Sequence, residues 1–335
     1  MAPATVIGAA GDETSLEGGT DVEPGDALVV ATSGASGAPK GVVLTHDAVA
    51  ASARATNTRL GVTVGDHWLA CLPLSHVGGL SVITRALAGG TRLTVLPRFD
   101  PDAVMAAGAT LVSLVATALQ RIDPARFRTI VLGGSAPPPD LPANVVTTYG
   151  MTETGSGVVY DGSPLDGVDV HVGVDGEVGV RGPMLLRAYR DGTVPLVDGW
   201  FATGDLGRWD AAGRLVVDGR RSDLIISGGE NVWPEPVEAV LRRHPHVADV
   251  AVTGDPDPEW GQAVTAYVVA DGDPPTLDEL RDAVKHELAP HCAPRRLVVV
   301  AAIPRTALGK IRRAEVTNVT RSASGQPART LRRSG

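Results

Sequence analysis

Residues 31–46, ATSGASGAPKGVVLTH, crowd hydroxyls, glycines and one lysine directly behind the apolar run Ala27-Leu28-Val29-Val30. Glycines let backbone N–H groups approach a ligand closely, hydroxyls add donors, and a lysine adds charge. Thr32, Ser33, Gly34, Ser36, Gly37 and Lys40 at the end of a strand therefore read as a loop that wraps an anion. A surface turn has the same composition, so the rest of the chain must decide. The usual nucleoside-triphosphate loop fits poorly, because its lysine follows a glycine and precedes Ser or Thr. Here Lys40 follows Pro39 and precedes Gly41.

Outward from that loop, apolar runs at 27–32, 67–73, 91–97, 109–114, 129–133 and 144–149 alternate with helical patterns at 46–60, 78–88 and 100–107. Alternation of this kind predicts a parallel sheet covered by helices. From 166 to 218 short strand-like pieces are separated by Asp175-Gly176, Asp191-Gly192, Asp198-Gly199 and Asp218-Gly219, which predicts an antiparallel subdomain. After 222 come a short strand at 224–226, a helix at 235–243, strands near 247–253 and 263–270, and a helix at 276–288, followed by an apolar run at 297–300. The expected class is α/β. A large N-terminal domain over 1–222 carries a mostly parallel, helix-covered sheet and an antiparallel β subdomain. A small mobile α+β domain spans 223–317, and an arginine-bearing tail over 318–335 reads as disordered.

A chain of 335 residues with 43% hydrophobic and 20% charged residues has ample material for two folded domains. Its net charge of -8 argues against a nucleic-acid partner, which calls for a basic face. Cys71 and Cys292 make neither a disulfide framework nor a metal-ligand spacing, and suit a reducing compartment. No run approaches the roughly 20 apolar residues of a membrane span, and the start, MAPATVIGAAGDETS, lacks the basic end and apolar core of a signal peptide. The expected location is the cytoplasm, with no membrane span.

Four further clusters decide the reading of the loop. They are Tyr149-Gly150-Met151-Thr152-Glu153, Thr203-Gly204-Asp205, Gly219-Arg220-Arg221-Ser222-Asp223 running into Ser227-Gly228-Gly229-Glu230-Asn231, and Pro304-Arg305-Thr306-Ala307-Leu308-Gly309-Lys310. Each alone is short enough to occur by chance. In this order and at these separations, the set resembles the adenylate-forming superfamily of acyl- and aryl-CoA synthetases, luciferases and peptide-synthetase adenylation domains, over about residues 28–315.

That resemblance implies ATP and coenzyme A as cosubstrates, Mg²⁺ as the metal and a small carboxylic acid as the partner. By the same resemblance, residues 32–41 hold phosphates, Glu153 meets Mg²⁺ and Thr152 a phosphate, and Tyr149, Gly150, Met151, Ser135 and Ala136 line the adenine and nucleotide pocket. Asp205 would accept from ribose hydroxyls, Arg220 would donate to the nucleotide, and His76, Gly133, Gly134 and Ser135 would border the acid. Gly228, Gly229 and Trp260 are the expected coenzyme A contacts, and Ser222 the hinge. Read singly, Glu153 is also an acid at a helix start, Asp205 a turn former, His76 a loop histidine and Trp260 core. Lys310 has a reason of its own: a carboxylate attacking a triphosphate brings like charges together, and a lysine on a mobile domain supplies the bridging cation when substrates are bound.

Within the superfamily, Tyr149 to Thr154 followed closely by Val159-Tyr160-Asp161-Gly162 looks most like short members whose aromatic acid carries a second carboxylate. Arg85 or Arg187 could meet that charge, although both read as surface residues. Other aryl or acyl acids, loading of a carrier protein, and an inactive nucleotide-binding relative stay open, the last disfavoured by the presence of both Lys310 and Glu153. Ala35 departs from the Ser or Thr of many relatives. Most relatives also carry a longer segment before the phosphate loop, so part of the pocket wall is expected from elsewhere, a second copy in a homodimer being one source.

Overall fold

The computed structural model describes residues 5–7, 13–15, 22–32, 40–135, 137–138, 140–306 and 309–322. Seven of the described strands form one sheet in the spatial order Ser163–Pro164, Ser156–Tyr160, Val145–Met151, Thr129–Leu132, Leu111–Leu114, His67–Ala70, Arg92–Val95. The five from Val145–Met151 to Arg92–Val95 run parallel, and the two at the other edge are antiparallel. Strands covered on both faces read as unbroken apolar runs. Leu111, Val112, Leu114, Ile130, Val131 and Leu132 are all buried accordingly.

The three expected helices form at His46–Arg59, Val77–Gly89 and Pro101–Ala106. Thr45 and Asp100 cap the first and third by accepting from Ala48 N and Ala103 N, and a proline opens the third. Of the expected Asp-Gly turns, those at 175–176, 191–192 and 198–199 form, whereas Asp218-Gly219 lies inside strand Leu215–Arg220, where ladder pairing overrides its turn composition. Asp198 and Gly199 both have positive φ (50° and 78°) between Val197 and its cross-strand partner Trp200, the conformation that a two-residue hairpin requires.

Several strands were absent from the sequence reading, among them Ser156–Tyr160, Glu230–Val232 and one beside the glycine-rich stretch. Lys40–Thr45 pairs antiparallel with Asp26–Thr32, placing Lys40 opposite Thr32, and with Ala188–Tyr189 on its other side. A second sheet contains Asp169–Val172, Glu177–Arg181, Trp200–Trp209, Leu196–Val197 and Leu215–Arg220, with Leu196–Val197 antiparallel to Trp200–Trp209.

Toward the C-terminus, a five-stranded sheet orders Glu230–Val232, Ile225–Ser227, Gly261–Ala270 and Val247–Asp257, with Arg296–Val299 parallel to Gly261–Ala270. Helices Pro234–Leu241 and Leu277–Glu287 cover it, the second opened by a Thr276/Glu279 capping box. Their common core includes Val237, Leu241, Val250, Val264, Leu280 and Val284. The arginine-bearing tail expected from 318 begins inside a helix, Arg313–Ser322, whose Val316 is buried with Ala251, Tyr267 and Ile303. Burial of that one apolar residue overrides the polar composition around it.

By contacts the chain divides into two compact units, Met1–His171 with Gly179–Thr203 and Trp209–Leu215, and Val172–Val178 with Gly204–Arg208 and Val216–Gly335. Among the described residues no helix is long and apolar enough to cross a membrane.

Candidate active site

In the first unit the expected site residues gather at one end of the parallel sheet. Gly133, Gly134 and Ser135 directly follow strand Thr129–Leu132, Tyr149, Gly150 and Met151 close strand Val145–Met151, and His76 follows strand His67–Ala70 across a short loop. Carboxyl ends of parallel strands are where ligands collect in such sheets. Thr148 Oγ1 donates to Leu132 O at 3.1 Å and ties two of these strand ends together. Gly150 permits the next chain segment to pass, since a Cβ there would lie 2.1 Å from Ser156 O. His76 sits at the N-cap of helix Val77–Gly89, but its side chain makes no capping bond. The half-buried imidazole has no hydrogen-bond partner among the described residues. Ser33, Gly34, Ser36, Gly37 and Ala136 lie outside the described residues.

Thr152 and Glu153 begin a short 3₁₀ turn directly after Met151. The Glu153 carboxylate accepts from the Tyr189 hydroxyl at 3.1 Å, and its backbone carbonyl accepts from Leu186 N at 2.8 Å. Lys40 Nζ stands 4.7 Å from the centroid of the same Tyr189 ring. Two residues more than a hundred positions apart thus meet at the face and the hydroxyl of one tyrosine, a residue that matched no motif. Among the described residues no three His, Cys, Asp or Glu side chains converge as a metal cage. Mg²⁺ shared with substrate phosphates keeps several waters and needs only one or two carboxylates, so the lone Glu153 fits it.

Arg85 corrects the sequence reading. It is buried, with 2% of its surface exposed, rather than on the surface. Its guanidinium donates to Ser113 Oγ at 3.2 Å, to Tyr160 Oη at 3.4 Å and to Ser156 Oγ, and lies 5.7 Å from the Trp68 ring centroid. No carboxylate pairs with it among the described residues. Its Nε, Trp68 Nε1 and Ser81 Oγ are buried without a hydrogen-bond partner. Ser81 and Arg85 are one helical turn apart, on the same face. Unsatisfied buried donors are rare enough to call for an acceptor. The helix pattern held the signal, because Val82, Arg85 and Ala86 follow Gly79 and Ser81 along its buried stripe. Arg187, the other arginine considered, is a third exposed and pairs with Asp26 and Glu23. Its hydrogen bond to Asp26 holds that carboxyl below its ordinary range.

The second unit contains the remaining expected residues. Arg220 Nε meets Asp205 Oδ1 at 2.8 Å, which fixes a carboxylate that is only 8% exposed. Ser222 Oγ donates to Asp223, itself bound by Arg313. Gly228 has φ +62°, and a Cβ on it would lie 2.6 Å from the Trp260 ring, so only glycine lets the indole lie against that turn. On Trp260 the Arg295 guanidinium stacks at 3.4 Å from the centroid. Beside Gly229 a Cβ would meet nothing within 4 Å.

Lys310 is exposed, and its backbone is hydrogen-bonded to Thr306. Thr306 N donates to its carbonyl at 2.8 Å, and Lys310 N donates to Thr306 Oγ1 at 3.1 Å. Arg305 donates to Gly309 O at 2.6 Å while its other nitrogens bind both Asp249 oxygens at 2.6 and 3.2 Å. Arg305 belongs to the quoted cluster but was given no role in the sequence analysis, and Asp249 was not singled out.

Residues 8–190 match the AMP-binding enzyme family, and residues 236–310 match the AMP-binding enzyme C-terminal domain. A 2–succinylbenzoate–CoA ligase of Bacillus cytotoxicus is 39% identical over 332 residues, covering 86% of this chain and 69% of that protein. Among solved structures, the o-succinylbenzoate CoA synthetase of Bacillus subtilis with its acyl-adenylate intermediate is 34% identical with a TM-score of 0.79, covering 86% of this chain and 68% of that one. The Bacillus subtilis synthetase with ATP and magnesium ion is 33% identical with a TM-score of 0.78, covering 91% and 73%.

Proposed function

The chain belongs to the AMP-binding enzyme family, and we propose that it is an AMP-forming acid–CoA ligase whose acid is 2-succinylbenzoate, a step of menaquinone biosynthesis. In the first half-reaction a carboxylate oxygen bonds to the α-phosphorus of ATP and pyrophosphate leaves, giving acyl-AMP. In the second, the thiol of coenzyme A bonds to the acyl carbon, its proton is released, and AMP leaves. Mg²⁺, when bound, offsets phosphate charge. Glu153 provides the carboxylate that holds it, and Lys40 and the glycine-rich residues before it hold phosphate. Asp205, oriented by Arg220, accepts from the ribose. Lys310, on a domain taken to span 223–317 with its hinge at Ser222, supplies the cation that lets two anions approach. Gly228 and Gly229 leave room for the pantetheine arm, beside Trp260. The reaction is assigned to the cytoplasm.

The observation that carries the choice of acid is Arg85. A guanidinium that meets only hydroxyls and an aromatic ring among the described residues has no carboxylate competing with an anionic ligand there. Ser113 and Ser156 place it near the strand ends where His76, Gly133 and Gly134 collect. An acid with a second carboxylate satisfies it, and benzoate does not. The test is coenzyme A consumption with ATP and Mg²⁺ across 2-succinylbenzoate, benzoate, cinnamate and a medium-chain fatty acid. The expected kcat/KM preference for 2-succinylbenzoate is on the order of 10³-fold, because a site with a buried polar group rejects analogues that leave it unmatched. Equal turnover of benzoate or the fatty acid overturns the assignment of the acid and leaves the ligase chemistry standing.

A further inference from the structure

We infer that Tyr189 is a positioning residue that keeps the metal-side carboxylate and the phosphate-side lysine close together yet unpaired. The inference rests on the reading above, in which Glu153 serves Mg²⁺ and Lys40 serves phosphate. Opposite charges at one site quench each other if they touch, and each is then lost to the ligand. Lys40 and Glu153 form no ion pair among the described residues; Tyr189 meets both, its hydroxyl on Glu153 Oε1 and its ring under Lys40 Nζ.

Both contacts are electrically neutral on the tyrosine side. A phenol orients a carboxylate without cancelling its charge, as an arginine would. An aromatic face seats an ammonium through its quadrupole and leaves the charge available. The tyrosine is itself held on both flanks. Ala188 and Tyr189 pair with Val43 and Val42, Arg187 N and Arg190 N donate to Val43 O and Gly41 O at 2.9 and 2.7 Å, and Leu186 N donates to Glu153 O at 2.8 Å. One short segment therefore links the strand that begins at Lys40 to the turn that carries Glu153. Tyr189 is only 9% exposed, so its ring has little freedom to leave either contact.

The experiment is ATP binding by calorimetry, in EDTA and in Mg²⁺, for the wild type, Tyr189→Phe, Tyr189→Leu and Glu153→Gln, with thermal unfolding recorded for each. Tyr189→Phe removes only the hydroxyl. It is expected to keep its affinity in EDTA within about twofold and to lose about tenfold of the tightening that Mg²⁺ produces, as Glu153→Gln does. Tyr189→Leu is expected to lose a further two- to fivefold, about, in EDTA, because Lys40 loses its seat. Retention of the full Mg²⁺ tightening by Tyr189→Phe overturns the inference. Equal weakening of Tyr189→Phe in both media does the same, since that pattern marks a packing role. If the wild type binds no ATP in either medium, the ligase reading itself falls and takes the inference with it. If the wild type binds and Tyr189→Phe is unchanged, only the inference falls.

Discussion

Arg85 and Arg313 are guanidiniums withdrawn from water, one in each unit, and their surroundings are opposite. Arg313, with 13% of its side chain exposed, donates to Glu238, to Glu235 at 2.7 Å, to Asp223 at 3.3 Å and to Val252 O at 2.9 Å. Burial alone would push its pKa down, but hydrogen bonds and charge from Glu238 and Glu235 outweigh that and hold it above its ordinary value. Arg85 has hydroxyls and a ring, and no carboxylate among the described residues. A buried cation surrounded by fixed anions is finished as structure: it pins helix Arg313–Ser322, just beyond Lys310, to helix Pro234–Leu241 and strand Val247–Asp257. A buried cation surrounded by neutral acceptors and a ring is unfinished until an anion arrives.

The largest effect that could break this contrast lies in the paired member. Arg313→Met leaves Glu238, 4% exposed, without its cation. Stability measured by denaturant unfolding is expected to drop by about 3–5 kcal/mol. A loss below about 1 kcal/mol would mean that the carboxylates are not held by Arg313 and that the contrast is empty. A third cation, Lys310, is exposed, and the proposed reaction asks it to move to the phosphates rather than to stay buried. Lys310→Ala is expected to slow adenylate formation by about 10²–10³-fold while sparing conversion of supplied acyl-adenylate to thioester, from which pyrophosphate has already gone. Rapid-quench measurement of the two half-reactions checks this, and equal losses would make Lys310 structural.

The smallest effect belongs to an intermediate case, Asp26 with Arg187, where the carboxylate side chain is 1% exposed and the arginine 34%. The Arg187 hydrogen bond lowers the Asp26 pKa from 3.8. Its stabilisation is therefore complete above the unfolded value and is lost as pH falls through the lower folded value. Asp26→Asn should cost about 1 kcal/mol at pH about 7 and progressively less below pH about 4, read from unfolding curves at both pH values. A cost independent of pH would remove the ion pair from the account.

Much of the fold was legible because buried parallel strands are written as unbroken runs such as Leu111-Val112-Ser113-Leu114, and because Asp-Gly turns carry their own geometry. Strand Lys40–Thr45 escaped because Val42-Val43-Leu44 runs straight into the Thr45 cap, while one partner, Ala188–Tyr189, is remote in sequence. Arg85 was read as surface because arginines seldom sit inside, although its place on the helix stripe said otherwise. The ordered motifs singled out Glu153, Asp205 and Lys310, but motifs name residues and not what seats them. Tyr189, Arg305 and Asp249 act through contacts made across long stretches of chain, and no local pattern announces such contacts.

On the proposed function, Arg85 waits for the second carboxylate of the acid. The most direct measurement is the kcat/KM ratio of 2-succinylbenzoate to benzoate for the wild type and Arg85→Met, with unfolding stability recorded on the same preparations. An apolar side chain of similar length replaces a charge that leaves no carboxylate behind among the described residues, so stability is expected to change by no more than about 1 kcal/mol. The ratio is expected to fall from the order of 10³ to within about tenfold of unity, with benzoate turnover little changed. A variant that keeps the wild-type ratio, or that loses both acids in equal proportion, would contradict the account.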